Sequence, residues 1–244
     1  MTQRASVEQP LLHSVPDYNS TAPPPLEHAN FKLADMVPTQ HDKTGMALVL
    51  TGTTLLVLGT AALILTSPVP TLFAWHPSLN ALALALFAIG ISVVQPPTPP
   101  STVRAQRLDA HKSVLGLAVI LLCAGTTFMY YNKEANGSAH GTTPHGGAGY
   151  IVVTWMLVQA IIGGVAANTG KNGLWLYKWH RLSGYLFMTL ALFTAFAGGL
   201  LTTWSQTRPA PLRIVAYGIG IPLIAAGVAM RMHTSKLPFG KRHA

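Results

Sequence analysis

Four histidines, His76, His111, His145 and His180, stand at intervals of 35, 34 and 35 residues, each at the start of a long apolar run. Imidazole is the commonest metal ligand and titrates near neutrality, so among hydrocarbon it is costly unless something binds it. Four in register make two matched pairs, suited to holding a metal or relaying a proton. No Asp or Glu falls inside any of the apolar runs, which argues against a carboxylate-based proton or cation pathway. Cys123 is the single cysteine and lies within an apolar run, so neither an intrachain disulfide nor a thiolate cluster is available. Two imidazoles alone would leave a tetrahedral zinc site half empty.

The elements that must position these side chains are membrane helices. Half of the 244 residues are apolar and only 9% are charged, with a mean hydropathy of +0.38. Soluble domains carry about 25% charged residues, so this is the balance of a membrane protein. The formal charge of +9 would suit nucleic acid. The basic residues, however, sit in short loops between apolar segments, where orientation in a lipid bilayer demands them, and no nucleic-acid partner is expected.

Six runs are long enough to cross a hydrocarbon core of ~30 Å at ~1.5 Å per residue. They are roughly Gly45–Thr66, His76–Val94, His111–Tyr131, His145–Ala167, His180–Thr203 and Pro211–Arg231. Pro222 is the only proline well inside an expected span. Short connections rich in Pro, Gly and Asn force neighbouring helices antiparallel. The expected fold class is an all-α membrane protein, a six-transmembrane-helix bundle whose helices 2–5 form a four-helix core. Residues 1–43 read as a disordered cytoplasmic tail, 44–231 as the transmembrane domain and 232–244 as a basic cytoplasmic tail. Lys and Arg concentrate on one side of this arrangement, which places both termini in the cytoplasm of a multi-pass protein. The sequence leaves open which membrane, whether endomembrane, vacuole or plasma membrane.

Antiparallel alternation puts His76 and His145 near the outer face and His111 and His180 near the inner one. Helices about 8–10 Å apart are too close for a flat macrocycle unless small residues make room. Gly149 follows His145 by four positions and Gly184 follows His180 by four, so each glycine lies on its histidine's face one turn along. Each pair thus carries a notch beside one ligand, as a porphyrin gripped by two imidazoles requires. Iron with both axial positions filled has one-electron transfer left to it. His140, in the outer loop, reads as loop filling that could also touch an electron acceptor.

With these residues in hand, the chain resembles the cytochrome b561 family of six-helix transmembrane dihaem proteins, over roughly residues 45–231. The resemblance rests on Trp75-His76-Pro77, on His111, on His145-Gly146-Gly147-Ala148-Gly149, and on Trp179-His180-Arg181-Leu182-Ser183-Gly184-Tyr185. The likeness is to the short, stand-alone members. It implies two haem b groups per chain, with His76 and His145 on the outer iron and His111 and His180 on the inner. It also implies a transmembrane ascorbate-dependent ferrireductase. Ascorbate or a similar cytoplasmic reductant feeds the inner haem; a ferric chelate or monodehydroascorbate accepts at the other side. The sequence leaves room for a homodimer.

An anionic reductant is expected to dock near Arg107, Lys112, Lys178 and Arg181, whose charges would concentrate it at the inner face. Positive-inside topology alone also accounts for those four. Between the two histidine levels the expected path runs through packed aliphatic side chains. Two rival readings stand beside this one: a dihaem carrier serving a quinone or partner reductase, and a non-redox membrane transporter.

Overall fold

Thr39 starts the first helix for a local reason. Its hydroxyl accepts from the Asp42 backbone N–H at 3.0 Å, satisfying one of the donors that a helix start leaves free. From that cap α1 runs Gln40–Leu65. There follow α2 (Thr71–Val93), α3 (Ser101–Ala135), α4 (Pro144–Asn168), α5 (Leu174–Leu200) and a short α6 (Thr203–Gln206). The last span, Ala210–Met230, joins α7 (Ala210–Arg213), a π turn at Ile214–Ile219 and α8 (Gly220–Met230). The computed structural model describes residues 37–67, 69–96, 101–169 and 174–239. Most of the expected N-terminal tail lies outside them, as do Lys171, Lys241 and Arg242. Six helices are long and apolar enough to cross a membrane, and no strand occurs among the described residues. The chain is a multi-pass, all-α integral membrane protein.

The helices begin earlier than the hydropathy suggests. His76 is the sixth residue of α2, His111 the eleventh of α3 and His180 the seventh of α5; only His145 stands in a first turn, second after Thr143. Apolar runs mark the hydrocarbon core, whereas caps and polar first turns lie beyond it. The 35 residues of α3 span about 50 Å at ~1.5 Å each, against a core of ~30 Å. The early start of α2 also draws Pro77 inside a helix, so Pro222 is not alone. Pro222 follows the π turn, where the Gly220 N–H reaches back five residues to the Val215 carbonyl. A widened turn of this kind absorbs the bond and the space that a proline disrupts.

Small residues set the packing. Gly45, Gly52 and Gly59 recur every seventh residue on α1. A Cβ on Gly52 would stand 2.6 Å from the Gly220 carbonyl oxygen, and one on Gly227 would stand 2.6 Å from that of Gly45. Without a hydrophobic drive between helices in lipid, such backbone contact is what holds them. α1 is thereby clasped to α8, while α2 packs along α3 and α4 along α5. The two latter pairs meet across a core that includes Phe87 and Phe187, whose rings lie 5.2 Å apart, edge to face. That aromatic pair sits among aliphatic core side chains that include Leu84, Met156 and Leu192.

At the end of the bundle where α1 starts and α8 stops (the inner end below), Arg231 is fully buried. It donates from Nη1 to the Asp42 carbonyl oxygen at 2.5 Å and from Nη2 to that of Ser92 at 2.9 Å. One side chain therefore joins α1, α2 and α8.

Candidate functional site: two levels of histidine

At the outer level, His76 Nδ1 lies 3.1 Å from the carbonyl oxygen of Gly125 on α3, and His145 Nδ1 lies 2.8 Å from that of Thr194 on α5. A carbonyl only accepts, so His145 Nδ1 donates and its Nε2 keeps the lone pair, whereas His76 Nδ1 also lies 3.1 Å from the Asn80 amide nitrogen, itself a donor. The two rings stand edge to face, with centroids 6.0 Å apart and planes at 83°. Both border a cavity of about 340 Å³ whose wall includes Asn80, Gly149 and Tyr217. A Cβ on Gly149 would meet nothing within 4 Å, so that glycine faces open space.

At the inner level, His111 Nδ1 donates to the Gly90 carbonyl oxygen of α2 at 2.8 Å. His180 is within electrostatic reach of His111. Its carbonyl oxygen accepts from Gln159 Nε2 at 2.5 Å, and its ring meets the Gln159 backbone as His111 meets that of Gly90. Gly184 faces Gln159 rather than open space, since a Cβ there would stand 3.0 Å from the amide nitrogen.

Two glycines act as seats. A Cβ on Gly198 would stand 2.7 Å from Cε1 of His145, and one on Gly163 would stand 2.7 Å from Cε1 of His180. These partners were missed from the sequence, although the signal is present in it. His76 precedes Gly90 by 14 residues and His111 precedes Gly125 by 14; His145 precedes Gly163 by 18 and His180 precedes Gly198 by 18. At 3.6 residues per turn these are about four and five whole turns, so histidine and glycine share a helix face. Antiparallel neighbours then lay the histidine of one against the glycine of the other. A shift of 69 residues relates the halves: His76 to His145, His111 to His180, and the acceptor Gly125 to the acceptor Thr194.

The inner-face cations have separate fates. Arg107 is buried, and Arg181 donates from Nη1 to the Lys236 carbonyl oxygen at 2.8 Å. Lys112 is solvated and paired with Asp109 at 2.8 Å, and Lys178 is half-buried. Lys236, beyond the last span, donates from Nζ to the carbonyl oxygens of Gln95 at 2.5 Å and Pro96 at 2.9 Å, just past the end of α2. Burial, then the nearby Arg181 and Arg107 charges, push its ammonium down to about 8. At the outer mouth, His140 Nε2 meets Glu134 Oε1 at 2.8 Å and its Nδ1 lies 3.2 Å from the Tyr150 hydroxyl.

Residues 75–206, which carry all four histidines, match the sequence profile of eukaryotic cytochrome b561. The chain belongs to this family. Relatives at 33% identity over 95 residues include the transmembrane reductase CYB561D2 of Mus musculus, Homo sapiens and Bos taurus. The alignment covers 38% of this chain and 43% of each relative, so the chain spans less than half the length of the curated relatives it matches. Cytochrome b561 proteins bind haem b, and membership points to transmembrane electron transfer by an oxidoreductase.

Proposed function

We propose that the chain carries electrons across a membrane through two haem b groups, from a cytoplasmic reductant such as ascorbate to a ferric chelate or monodehydroascorbate on the far side. His76 and His145 would hold the outer iron, and His111 and His180 the inner. The observation that carries the reading is the outer pair. Two imidazole nitrogens each ~2.0 Å from one metal, with ring centres about 1 Å further, set the centroids about 6 Å apart. The rings of His76 and His145 stand at 6.0 Å, and the Thr194 carbonyl at His145 Nδ1 leaves that ring's Nε2 free to ligate.

When bound, such a group would supply one-electron chemistry, with His76, His145, His111 and His180 as the residues that would hold it. The protein's own residues do the rest. The backbone acceptors Gly125, Thr194 and Gly90 fix ring orientation and raise the basicity of the opposite nitrogen. Gly149 leaves the outer cavity open beside His145. Phe87 and Phe187 help keep water out of the space between the levels. Lys112 and Lys178, backed by Arg107 and Arg181, would draw an anionic reductant to the inner end. With those cations inside, both termini are cytoplasmic.

The test is a dithionite-reduced minus oxidised spectrum of detergent-solubilised protein, with haem quantified per chain. Two haems per chain with low-spin bis-imidazole bands are expected; colourless protein from haem-replete cells would end the proposal. Replacing Lys178 and Arg181 with Gln should slow reduction by ascorbate several-fold with the spectrum intact, and unchanged kinetics would remove the docking site.

A further inference from the structure

His76 Nδ1 has two neighbours that make opposite demands on it. The Gly125 carbonyl oxygen, at 3.1 Å, can only accept, whereas the Asn80 amide nitrogen, also at 3.1 Å, can only donate. A protonated Nδ1 satisfies the carbonyl and opposes the amide hydrogens; a bare Nδ1 does the reverse. The other end of the same carboxamide, Asn80 Oδ1, is buried and has no hydrogen-bond partner. An acceptor thus stands idle in the residue whose donor opposes the ring.

The two ends of a carboxamide are nearly the same size, and a half turn about χ2 exchanges them. That turn brings Oδ1 to the place 3.1 Å from Nδ1 where the nitrogen now stands. The amide nitrogen moves to the side of Gly125, where the bare Cα leaves room, since any Cβ at 125 would strike the carboxamide. One buried end of Asn80 stays unmatched either way, but the conflict at Nδ1 is gone. The arrangement is particular to one ligand. Asn80 lies one turn after His76, and the 69-residue relation carries it onto Gly149, which faces open space one turn after His145. Leu115 and Gly184 hold the same offset from His111 and His180 and offer no polar side-chain atom.

We propose that Asn80 is a positioning residue for His76: its Oδ1 shares the Nδ1 proton with the Gly125 carbonyl, which leaves Nε2 with its lone pair. His76 then gives its proton to two acceptors, whereas His145 gives its own to the Thr194 carbonyl. A second acceptor on Nδ1 makes Nε2 a stronger donor and favours the oxidised metal. The redox consequence rests on the haem reading above; the hydrogen bond does not.

Aspartate is the discriminating substitution, because it keeps an acceptor oxygen and has no donor nitrogen. In full-length, haem-free protein labelled with 15N-histidine, wild-type His76 should be protonated at Nδ1. Asn80→Leu should move that proton's resonance upfield and leave those of His111 and His145 in place. Asn80→Asp should hold it at the wild-type position or further downfield. In holoprotein, spectropotentiometry should find the outer midpoint raised in Asn80→Leu and at or below the wild-type value in Asn80→Asp. A wild-type His76 protonated at Nε2 overturns the proposal with no variant needed, and so does a resonance that Asn80→Leu leaves unmoved. Equal changes in the Leu and Asp variants would make the amide nitrogen the working end and overturn it too. Colourless wild-type protein with the expected proton resonances would end the electron-transfer reading and uphold the Asn80 contact. Two haems per chain, with His76 of the haem-free protein protonated at Nε2, would do the converse.

Discussion

Gly198 and His145 meet face to face: a methyl group built on the glycine would stand 2.7 Å from Cε1 of the ring. Neither α5 backbone nor imidazole can yield without losing the 2.8 Å bond from His145 Nδ1 to the Thr194 carbonyl. Gly198→Val should therefore cost about 1–3 kcal/mol through overpacking and deplete the outer haem first. Thermal unfolding in detergent with haem counted per chain measures both, and a fully loaded, wild-type-stable variant would refute the seat.

The histidine pairs make separate predictions. His76→Leu or His145→Leu should lower haem content from two per chain to one, and so should His111→Leu or His180→Leu. The surviving haem should differ in midpoint potential between the outer and inner sets. A His111 variant that keeps two haems would contradict the pairing.

Arg231 is fully buried and reaches Asp42 and Ser92 from the end of α8. Its guanidinium also stands 3.8 Å from the Asp42 carboxylate, and removing one member of such a buried charged pair strands the other, at about 3–5 kcal/mol. Arg231→Ala should lower the melting temperature far more than Lys112→Ala, whose ion pair with Asp109 is solvated. Equal shifts in a detergent melt would contradict this.

Lys236 should titrate near 8, well below its usual 10.5. Because the folded value is depressed, burial of the charged form opposes docking of this segment below about pH 8. That penalty is relieved as pH rises from about 8 toward 10.5, so the segment should hold more firmly there. Competitive acetylation read by mass spectrometry follows the titration. Arg181→Gln should move it upward, and an apparent value above 10 in wild type would contradict the burial.

Much of this was legible in the chain. The histidine spacing and six apolar runs locate the spans, since hydrophobicity is summed over many residues and single exceptions do not erase it. The helix ends were less so. Thr39, Thr143 and Pro144 add no hydropathy, and their role lies in caps and first turns. Gly163 and Gly198 became meaningful only once antiparallel neighbours were known, because a seat is defined by what lies opposite. Charge carried least information about exposure. Arg107 is buried and Arg181 is bonded to Lys236, and no local pattern records that a segment some fifty residues later folds back beneath α5.

The 69-residue relation divides the four-helix core into two hairpins, α2–α3 and α4–α5, each contributing one imidazole to each level. Neither hairpin can complete a level by itself. A hairpin taken alone would need a second copy of itself to present opposed rings, and in this chain the α3–α4 connection keeps the two together.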